Sequence, residues 1–226
     1  MLKKSETEFI PAQEKGWFIF LFDLYTRSLF WRRFKNIWVD QRYQPGPESN
    51  TIYYLNHTSW WDGLIPLLLN RKLFRQNARA IMEDKQMREH RLFKKIGAFS
   101  VNLENPRSAV RSLRFAVESM KRENSSLFIY PEGKIYPFKT ENIQFRDGLA
   151  WIANRVQDAD VVPIGIYITT ANFDKPELYI KIGKPVEFNS ETDRSKLKSI
   201  FEANLERVLE QLEAQAHNES FRFDRM

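Results

Sequence analysis

The sequence predicts an α/β fold, a single domain with a mixed, largely parallel sheet flanked by helices, preceded by an N-terminal amphipathic helical segment. Three observations predict it. Short apolar runs typical of strands alternate with segments of helical spacing along most of the chain. The 226 residues are 42% hydrophobic, which is enough for one sizeable core, and they contain no repeat or long linker. The segment WFIFLFDLYTRSLFWRRFKNIWV, 17–39, combines many aromatic rings with basic residues.

The first half of the chain contains four strand-like runs. The apolar run TIYYLN, 51–56, predicts a buried strand, and the Gly and Pro of QPGPESN, 44–50, predict the turn before it. Residues 1–15 are polar and precede the first helix. The elements predicted for this half are helices over 16–35, 65–70 and 84–97, and strands over 36–43, 51–56, 78–83 and 98–103.

The second half opens with a helix over 104–123, in which Asn105 is a candidate N-cap and Pro106 suits the first turn. Its apolar side consists of Ala109, Val110, Leu113, Val117 and Met120. The closing helix, 190–215, has an apolar stripe typical of core packing, consisting of Leu197, Phe201, Leu205, Val208 and Leu212. The remaining predicted elements are a strand running into a turn over 125–133, a helix over 145–156, and strands over 161–169 and 178–188.

The balance of charge limits the classes of function. There are 35 Lys and Arg residues against 29 Asp and Glu, a net charge of +6, which suits nucleic acid, an anionic membrane surface or a phosphorylated ligand. No RNA-binding, helix-turn-helix or zinc-finger pattern is present, so we expect no nucleic-acid partner. The absence of cysteine excludes disulfides, thiolate metal sites and a cysteine nucleophile.

The N-terminal segment indicates contact with a membrane surface rather than a span. No run of 18 apolar residues occurs, and the first 16 residues lack the apolar region of a secretory signal. Residues 17–39 fit a helix lying in the interface, with rings at the acyl boundary and cations on anionic head groups. The alternative is an amphipathic helix packed on its own domain. We therefore predict an N-terminal tail and membrane-interface helix over 1–40 and a second domain over 41–226.

The stretch NHTSWWDG, 56–63, places a histidine and an aspartate at a predicted strand-to-helix junction. His57 and Asp62 are five positions apart, so they would not share a face of a helix and can meet only where the chain turns. There the carboxylate could accept from one imidazole nitrogen and leave the other to act as a general base for a hydroxyl. A structural hydrogen-bonded pair is the alternative for an isolated His and Asp.

Two further features could contribute to a site. The strand in FIYPEGKIYPF, 128–138, delivers Glu132 and Gly133 at its end, where ligands bind in α/β sheets; the alternative is a turn that only needs glycine. The region 71–95 holds nine basic residues, which either form a solvated face or bind phosphates. No HExxH, GxSxG or P-loop pattern occurs, so we expect no metal ligands, serine nucleophile or nucleotide loop.

Four short motifs occur in the order found in one enzyme family. NHTSWWD, with His57 and Asp62 spaced H-x4-D, resembles the first motif of the 1-acylglycerol-3-phosphate acyltransferase (lysophospholipid acyltransferase) family. GAFSVNL, 97–103, lies where the second motif belongs, and YPEGK, 130–134, resembles the third. Val162-Pro163-Ile164 resembles the fourth. The resemblance covers roughly residues 35–190.

The resemblance implies acyl transfer from acyl-CoA or acyl carrier protein, as co-substrate, to a hydroxyl of a lipid. It implies that His57 deprotonates this hydroxyl, that Asp62 orients the imidazole, and that the alkoxide attacks the thioester without an acyl-enzyme. Trp60 and Trp61 would wall an apolar site beside the base, or at least one of them would belong to the core. No bound cofactor is implied. The expected location is peripheral, on the cytoplasmic face of the cell membrane.

The chain departs from the family pattern where the family usually has arginines for the acceptor's phosphate. These positions hold Leu103 and Ile135, with Asn102 and Lys134 in place of the usual Asp and Thr. Lysophosphatidic acid is therefore one candidate acceptor beside glycolipids, carotenoid glycosides and ornithine-type lipids. A non-catalytic lipid-binding protein and a thioesterase also remain alternatives. The residues predicted to contact acceptor or substrate are Asn56, Arg107, Glu132, Gly133, Lys134 and Arg146.

Overall fold

An eight-stranded mixed sheet in the order β4-β3-β5-β2-β6-β7-β1-β8 forms the centre of the molecule. The computed structural model describes residues 9–171, 173–189, 191–218, 221 and 223–226. Its strands are β1 Ile37–Gln41, β2 Asn50–Leu55, β3 Asn77–Glu83, β4 Ala98–Val101, β5 Ser125–Ile129, β6 Ala159–Thr169, β7 Glu177–Ile182 and β8 Asp224–Arg225. Its α-helices are α1 Gly16–Arg33, α2 Ile65–Leu69, α3 Asp84–Glu89, α4 Pro106–Ser119, α5 Gly148–Ala153 and α6 Arg194–Ala216. This architecture confirms the predicted α/β fold.

Five neighbouring strands, β4, β3, β5, β2 and β6, run parallel, so their carboxyl ends meet at one edge of the sheet. β7 pairs antiparallel with β6, β1 pairs parallel with β7, and β8 pairs antiparallel with β1. β1 is an integral strand of this sheet although it crosses the predicted domain boundary at residue 40. The loops that follow β2, β5, β3 and β4 therefore lie along this edge in that order.

Alternating side chains of the strands form two cores. On one face, α4, α5 and α6 cover a cluster that contains Ile52, Ile129, Leu149 and Phe201. On the other face, α1 and α2 cover a cluster that includes Phe128. The α6 residues predicted as a stripe are all buried, namely Leu197, Phe201, Leu205, Val208 and Leu212. Because successive residues of a strand point to opposite faces, the sheet keeps the two cores apart up to its carboxyl edge.

α1 is present where a helix was predicted, but it is not amphipathic in the usual sense. Its side toward the protein includes the buried polar residues Asp23 and Thr26 beside Phe30. The protein tolerates the buried Asp23 carboxylate because this group pairs with Arg27 at 2.7 Å and with Arg71 at 3.5 Å. Its outer side carries exposed large apolar residues, namely Trp17, Phe20, Leu21, Leu24, Tyr25 and Trp31. Because α1 has apolar side chains on both its inner and its outer side, it lacks the contrast between an apolar and a polar face that an amphipathic helix has.

None of the helices in the described ranges is long and apolar enough to cross a membrane. The predicted helix over 84–97 is divided into α3 and a 3₁₀ helix, Arg91–Ile96. Phe93 of the second piece packs edge-on against Phe22 of α1, with ring centroids 5.7 Å apart. Packing against α1 thus overrides the helical tendency of this polar stretch. The other predicted elements are present with shifted ends, and β8 was not predicted.

Candidate active site

The chain leaves β2 at Leu55 and turns sharply toward α2 through a 3₁₀ turn, Trp60–Gly63. Asn56 fixes the start of this turn, since its amide donates to the Ile166 carbonyl at 2.8 Å and accepts from the Ile166 N–H at 2.8 Å. Both bonds tie the end of β2 to β6. Asn56 is buried and is not among the residues that line the cavity described below.

Asp62 is the centre of the turn and is fully buried. Its carboxylate accepts four hydrogen bonds. The donors are His57 Nδ1 at 2.8 Å, the Thr58 N–H at 2.6 Å, the Ser59 N–H at 2.8 Å and the Ser59 hydroxyl at 2.9 Å. Because an ionised carboxylate only accepts, Nδ1 of His57 carries the hydrogen, and Nε2 is left with its lone pair. The predicted proximity of His57 and Asp62 is therefore realised, with the tautomer that a general base needs.

Tyr130, directly after β5, supports this pair and was not singled out from the sequence, although it lies in the YPEGK motif. Its hydroxyl donates to the Asp62 backbone carbonyl at 2.5 Å, and its ring lies 4.6 Å from the imidazole of His57, centroid to centroid. Burial raises the pKa of Tyr130 well above its ordinary value. The phenol therefore stays neutral and keeps its donor proton at working pH.

The loop after β5 forms hydrogen bonds with both the backbone N–H and the backbone carbonyl of His57. The Glu132 carboxylate accepts from the His57 N–H at 3.4 Å, and the Tyr136 N–H donates to the His57 carbonyl at 2.9 Å. Burial raises the pKa of Glu132, against the opposing influence of the His57 N–H and of Lys139, whose Nζ lies 4.0 Å away. Glu132 therefore lies next to the predicted base and contacts its backbone rather than its ring.

The two tryptophans of the motif have different surroundings. Trp60 is 55% exposed and lines the cavity beside His57. Trp61 packs against Phe30 and Phe34 at the end of α1, with ring centroids 5.5 and 5.0 Å apart. One tryptophan thus walls the site and the other joins the core, the second of the two predicted arrangements.

Of the three predicted cationic contacts, Lys134 and Arg146 line the cavity, whereas Arg107 lies on the first turn of α4 and is not among its lining residues. Arg146 crosses directly over Gly133: a Cβ on that glycine would lie 2.7 Å from the Arg146 Nε. Gly133 also has a φ of +70°, which favours glycine. The Arg146 Nη1 donates to the Leu103 carbonyl at 3.4 Å. The guanidinium therefore lies between the loops that follow β4 and β5.

Asn102 has a structural role in this chain. Its amide donates to the Asp84 carboxylate at 3.1 Å, and its side-chain oxygen accepts the N–H groups of Glu104 and Asn105, both at 2.9 Å. These bonds shape the loop that leads into α4. Next to it, Leu103 lines the cavity, and on the other loop Ile135 is 54% exposed at its rim.

A cavity of about 1450 Å³ opens at the carboxyl edge of the sheet and extends over both faces. The part on the face of α1, here called the α1-side groove, is lined by Ile19, Leu64, Leu67, Ala78, Ala80, Met82, Phe93, Phe128 and Tyr130. The part on the opposite face, the α4-side groove, is lined by Ile81, Val101, Leu103, Ala109, Leu113, Ile129 and Leu149. Within the described residues, no group of three or more His, Asp and Glu side chains is placed to hold a metal ion.

A histidine–aspartate pair beside a large apolar cavity on an α/β fold can, by its chemistry, activate a hydroxyl. The chain belongs to the Acyltransferase family, whose family model matches residues 32–167. It is similar in fold to the crystal structure of PlsC from Thermotoga maritima, a 1-acyl-sn-glycerophosphate (LPA) acyltransferase. That likeness has a TM-score of 0.62 at 21% identity and covers 87% of this chain and 80% of that chain. No curated protein sequence matches the chain significantly.

Proposed function

We propose that the protein is an O-acyltransferase that moves a fatty acyl group from acyl-CoA or acyl carrier protein to a hydroxyl of a lipid acceptor. One observation carries this proposal: in a member of the Acyltransferase family, His57 Nδ1 lies 2.8 Å from Asp62 at the wall of an apolar cavity. Among the described residues, Nε2 of His57 has no protein hydrogen-bond partner. It is therefore free to accept a proton from a bound hydroxyl.

The proposed reaction needs no covalent enzyme intermediate. Nε2 of His57 takes the proton of the acceptor hydroxyl as its oxygen attacks the thioester carbonyl. The C–S bond breaks as the tetrahedral intermediate collapses, which leaves an ester and a thiolate, and the imidazolium returns its proton to that thiolate. Asp62 holds the ring in place and stabilises its positive charge between the two proton transfers.

We assign the donor's acyl chain to the α1-side groove. On this side of β3, Ala78 and Ala80 precede Met82, and their small side chains leave room between the sheet and α2. The groove reaches Asn70 and Gln76, which hydrogen-bond to each other through two bonds of 2.9 Å. The apolar walls suit a hydrocarbon chain that enters from the thioester at His57, and the Asn70–Gln76 pair marks where the apolar lining ends.

The acceptor is expected to carry an acidic group. Lys134 and Arg146 line the cavity near His57, and no carboxylate within the described residues forms an ion pair with either. Such cations favour a phosphate or carboxylate. Lysophosphatidic acid fits this requirement. A lipid without phosphate, such as a glycolipid or carotenoid glycoside, is the alternative that Leu103 and Ile135 favour.

The test is thiol release from palmitoyl-CoA and from palmitoyl-acyl carrier protein by the purified protein. We expect release to rise about tenfold or more when a hydroxyl lipid is added, because transfer needs the acceptor in the transition state. Lysophosphatidate, the neutral monoacylglycerol and a lipid extract of the source cell separate the acceptor classes. Release that is equal with and without every acceptor would indicate a thioesterase, and lipid binding without release would indicate a binding protein.

We also propose that the protein attaches peripherally to the cytoplasmic face of the cell membrane through the outer side of α1. That side exposes Trp17 and Trp31 by 61% and 80%. Large exposed apolar patches are uncommon on soluble monomers and mark interaction surfaces. Basic residues flank the helix, with Arg32 and Arg33 in its last turn and Lys95 over the ring of Phe18. Rings and cations in this combination suit an anionic bilayer.

Replacing Trp17 and Trp31 together with serine is expected to weaken binding to anionic vesicles by about tenfold or more. Burial of even one large apolar side chain contributes about 1.5–3 kcal/mol. Co-sedimentation with vesicles of phosphatidylglycerol and phosphatidylcholine measures the partition. Val110→Ser is the matched control, since Val110 is 39% exposed on α4, on the opposite face of the sheet. Equal sedimentation of both variants would contradict attachment through α1.

A further inference from the structure

We infer that the loop after β5 is a second membrane-docking site, whose tip inserts into an anionic bilayer beside α1. The loop tip consists of residues 134–137, Lys-Ile-Tyr-Pro, all of which are exposed. This site goes beyond the proposed attachment through α1, and it does not depend on acyl transfer. Three observations carry the inference: exposed apolar side chains cluster at one edge of the sheet, the loop tip is held in place, and cations flank it.

Exposed large apolar side chains cluster at the carboxyl edge of the sheet. Of the six in the described ranges that lie outside α1, four are in loops that follow parallel strands, namely Trp60, Ile135, Tyr136 and Phe173, and these are 40–55% exposed. The loops follow β2, β5 and β6, which are neighbours in the sheet. Exposed apolar side chains that are grouped rather than scattered mark an interaction surface.

The end of α1 lies at the same edge of the sheet. Ile37, the first residue of β1, pairs with Leu178 of β7, and Leu178 pairs with Ile168 near the carboxyl end of β6. β1 therefore begins where the parallel strands end. α1 finishes at Arg33, shortly before β1, and its last turn exposes Trp31 by 80%. One bilayer can thus contact both the end of α1 and the loops around the active site.

The loop tip is held in its exposed position by the rest of the protein. The Tyr136 N–H donates to the His57 carbonyl at 2.9 Å. Beyond the tip, the ring of Phe138 packs against that of Tyr167, with centroids 4.5 Å apart. Because these contacts fix the backbone before any partner binds, insertion of Ile135 and Tyr136 costs little ordering of the chain.

Cations flank the apolar loop tip. Lys134 precedes Ile135, and no carboxylate in the described part of the chain forms an ion pair with it. On the other side, the Lys139 Nζ lies 5.4 Å from the centroid of the Tyr136 ring. Tyrosine rings and lysines together suit the boundary between acyl chains and anionic head groups. A stable protein interface needs roughly 800 Å² on each partner, more than four residues offer, whereas a bilayer accepts single side chains.

The test exploits the absence of cysteine from the chain, because one substitution then gives one labelling site. Three variants are each labelled with an environment-sensitive fluorophore: Ile135→Cys in the loop tip, Leu21→Cys on the outer side of α1, and Asp158→Cys in the exposed turn before β6, at the opposite edge of the sheet. Vesicles of phosphatidylglycerol and phosphatidylcholine are then added. The labels at positions 135 and 21 are expected to shift their emission to shorter wavelength and to be quenched by nitroxide lipids, and the label at position 158 is expected to do neither.

A second measurement uses unlabelled protein. Replacing Ile135 and Tyr136 together with serine is expected to weaken co-sedimentation with these vesicles by about fivefold or more, whereas the control Val110→Ser is expected to match wild type.

The labels separate this inference from the proposed attachment through α1. A silent label at position 135 beside a responding label at position 21 would overturn the inference and leave attachment through α1 intact, and silence of both would overturn both. A label at position 135 that responds to acyl carrier protein but not to vesicles would also overturn the inference and assign the tip to an acidic protein. The vesicles contain no acyl donor, so a protein without transfer activity leaves each of these outcomes decisive.

Discussion

His57→Ala is expected to lower the rate of acyl transfer by about 10²–10⁴-fold, the range that a general base contributes. In this variant no group accepts the proton of the acceptor hydroxyl, since Asp62 is fully buried. Folding is expected to be retained, because Asp62 keeps three of its four donors. The measurement is kcat with saturating donor and acceptor, together with the thermal unfolding midpoint.

His217→Ala is the matched control for this variant. His217 follows α6, and its ring contacts only Tyr167 among the aromatic residues described near it, with centroids 5.9 Å apart. Its replacement is expected to leave kcat unchanged. Normal turnover in His57→Ala would exclude His57 as the base, whatever the control does.

Asp62→Asn is expected to reduce both turnover and stability. The Thr58 N–H, the Ser59 N–H and His57 Nδ1 all donate to Oδ2, whereas Oδ1 accepts only from the Ser59 hydroxyl. The amide oxygen of asparagine can therefore keep the Oδ2 position while its NH2 group faces the Ser59 oxygen, so the substitution removes the negative charge that strengthens these bonds. Hydrogen bonds to a charged group contribute about 1.5–3 kcal/mol against about 0.5–1.5 kcal/mol for neutral ones, so the free energy of unfolding is expected to fall by roughly 1–3 kcal/mol. The imidazolium that forms during proton transfer would also lose the negative charge beside it, and kcat is expected to fall about 10³-fold or more.

Urea unfolding and steady-state kinetics on the same preparation separate these two effects. Asp158→Asn, an exposed carboxylate in the turn before β6, is the matched control and is expected to alter neither quantity. If Asp62→Asn loses stability but keeps the wild-type kcat, Asp62 serves only to hold the turn. In that case the proposed proton transfer does not depend on it.

The local parts of the site could be predicted from the sequence, whereas the parts that depend on long-range packing could not. His57 and Asp62 lie in one turn, so their spacing was sufficient to predict that they meet. Tyr130 reaches them from the end of β5, 68 residues away along the chain from Asp62, and the sequence contains no sign of its hydroxyl bond. The sequence did not distinguish Arg146 from Arg107 as a cation of the site, because only the fold places Arg146 over Gly133.

The fold shows the same division. Alternating apolar runs were sufficient to predict the α/β class and most of the elements. The neighbours of β1 were not predictable, because its partners, β7 and β8, lie far along the chain. Which side of α1 is exposed was not predictable either, since the sequence pattern did not show that Asp23 would be buried between Arg27 and Arg71. Burial of a charged group depends on partners that only the folded chain brings together.

The position of β1 beside β7 has a consequence for synthesis on the ribosome. Ile37 pairs with Leu178, so β1 and the preceding α1 emerge about 140 residues before the strand that completes their side of the sheet. At about 5–20 residues per second, the nascent chain leaves the inner side of α1, which includes Phe30, exposed together with its outer side for roughly 7–28 s before this pairing can form. Pairing between strands that lie this far apart in the sequence also slows folding itself. During this interval, a bilayer or a chaperone can bind α1 before its own sheet does.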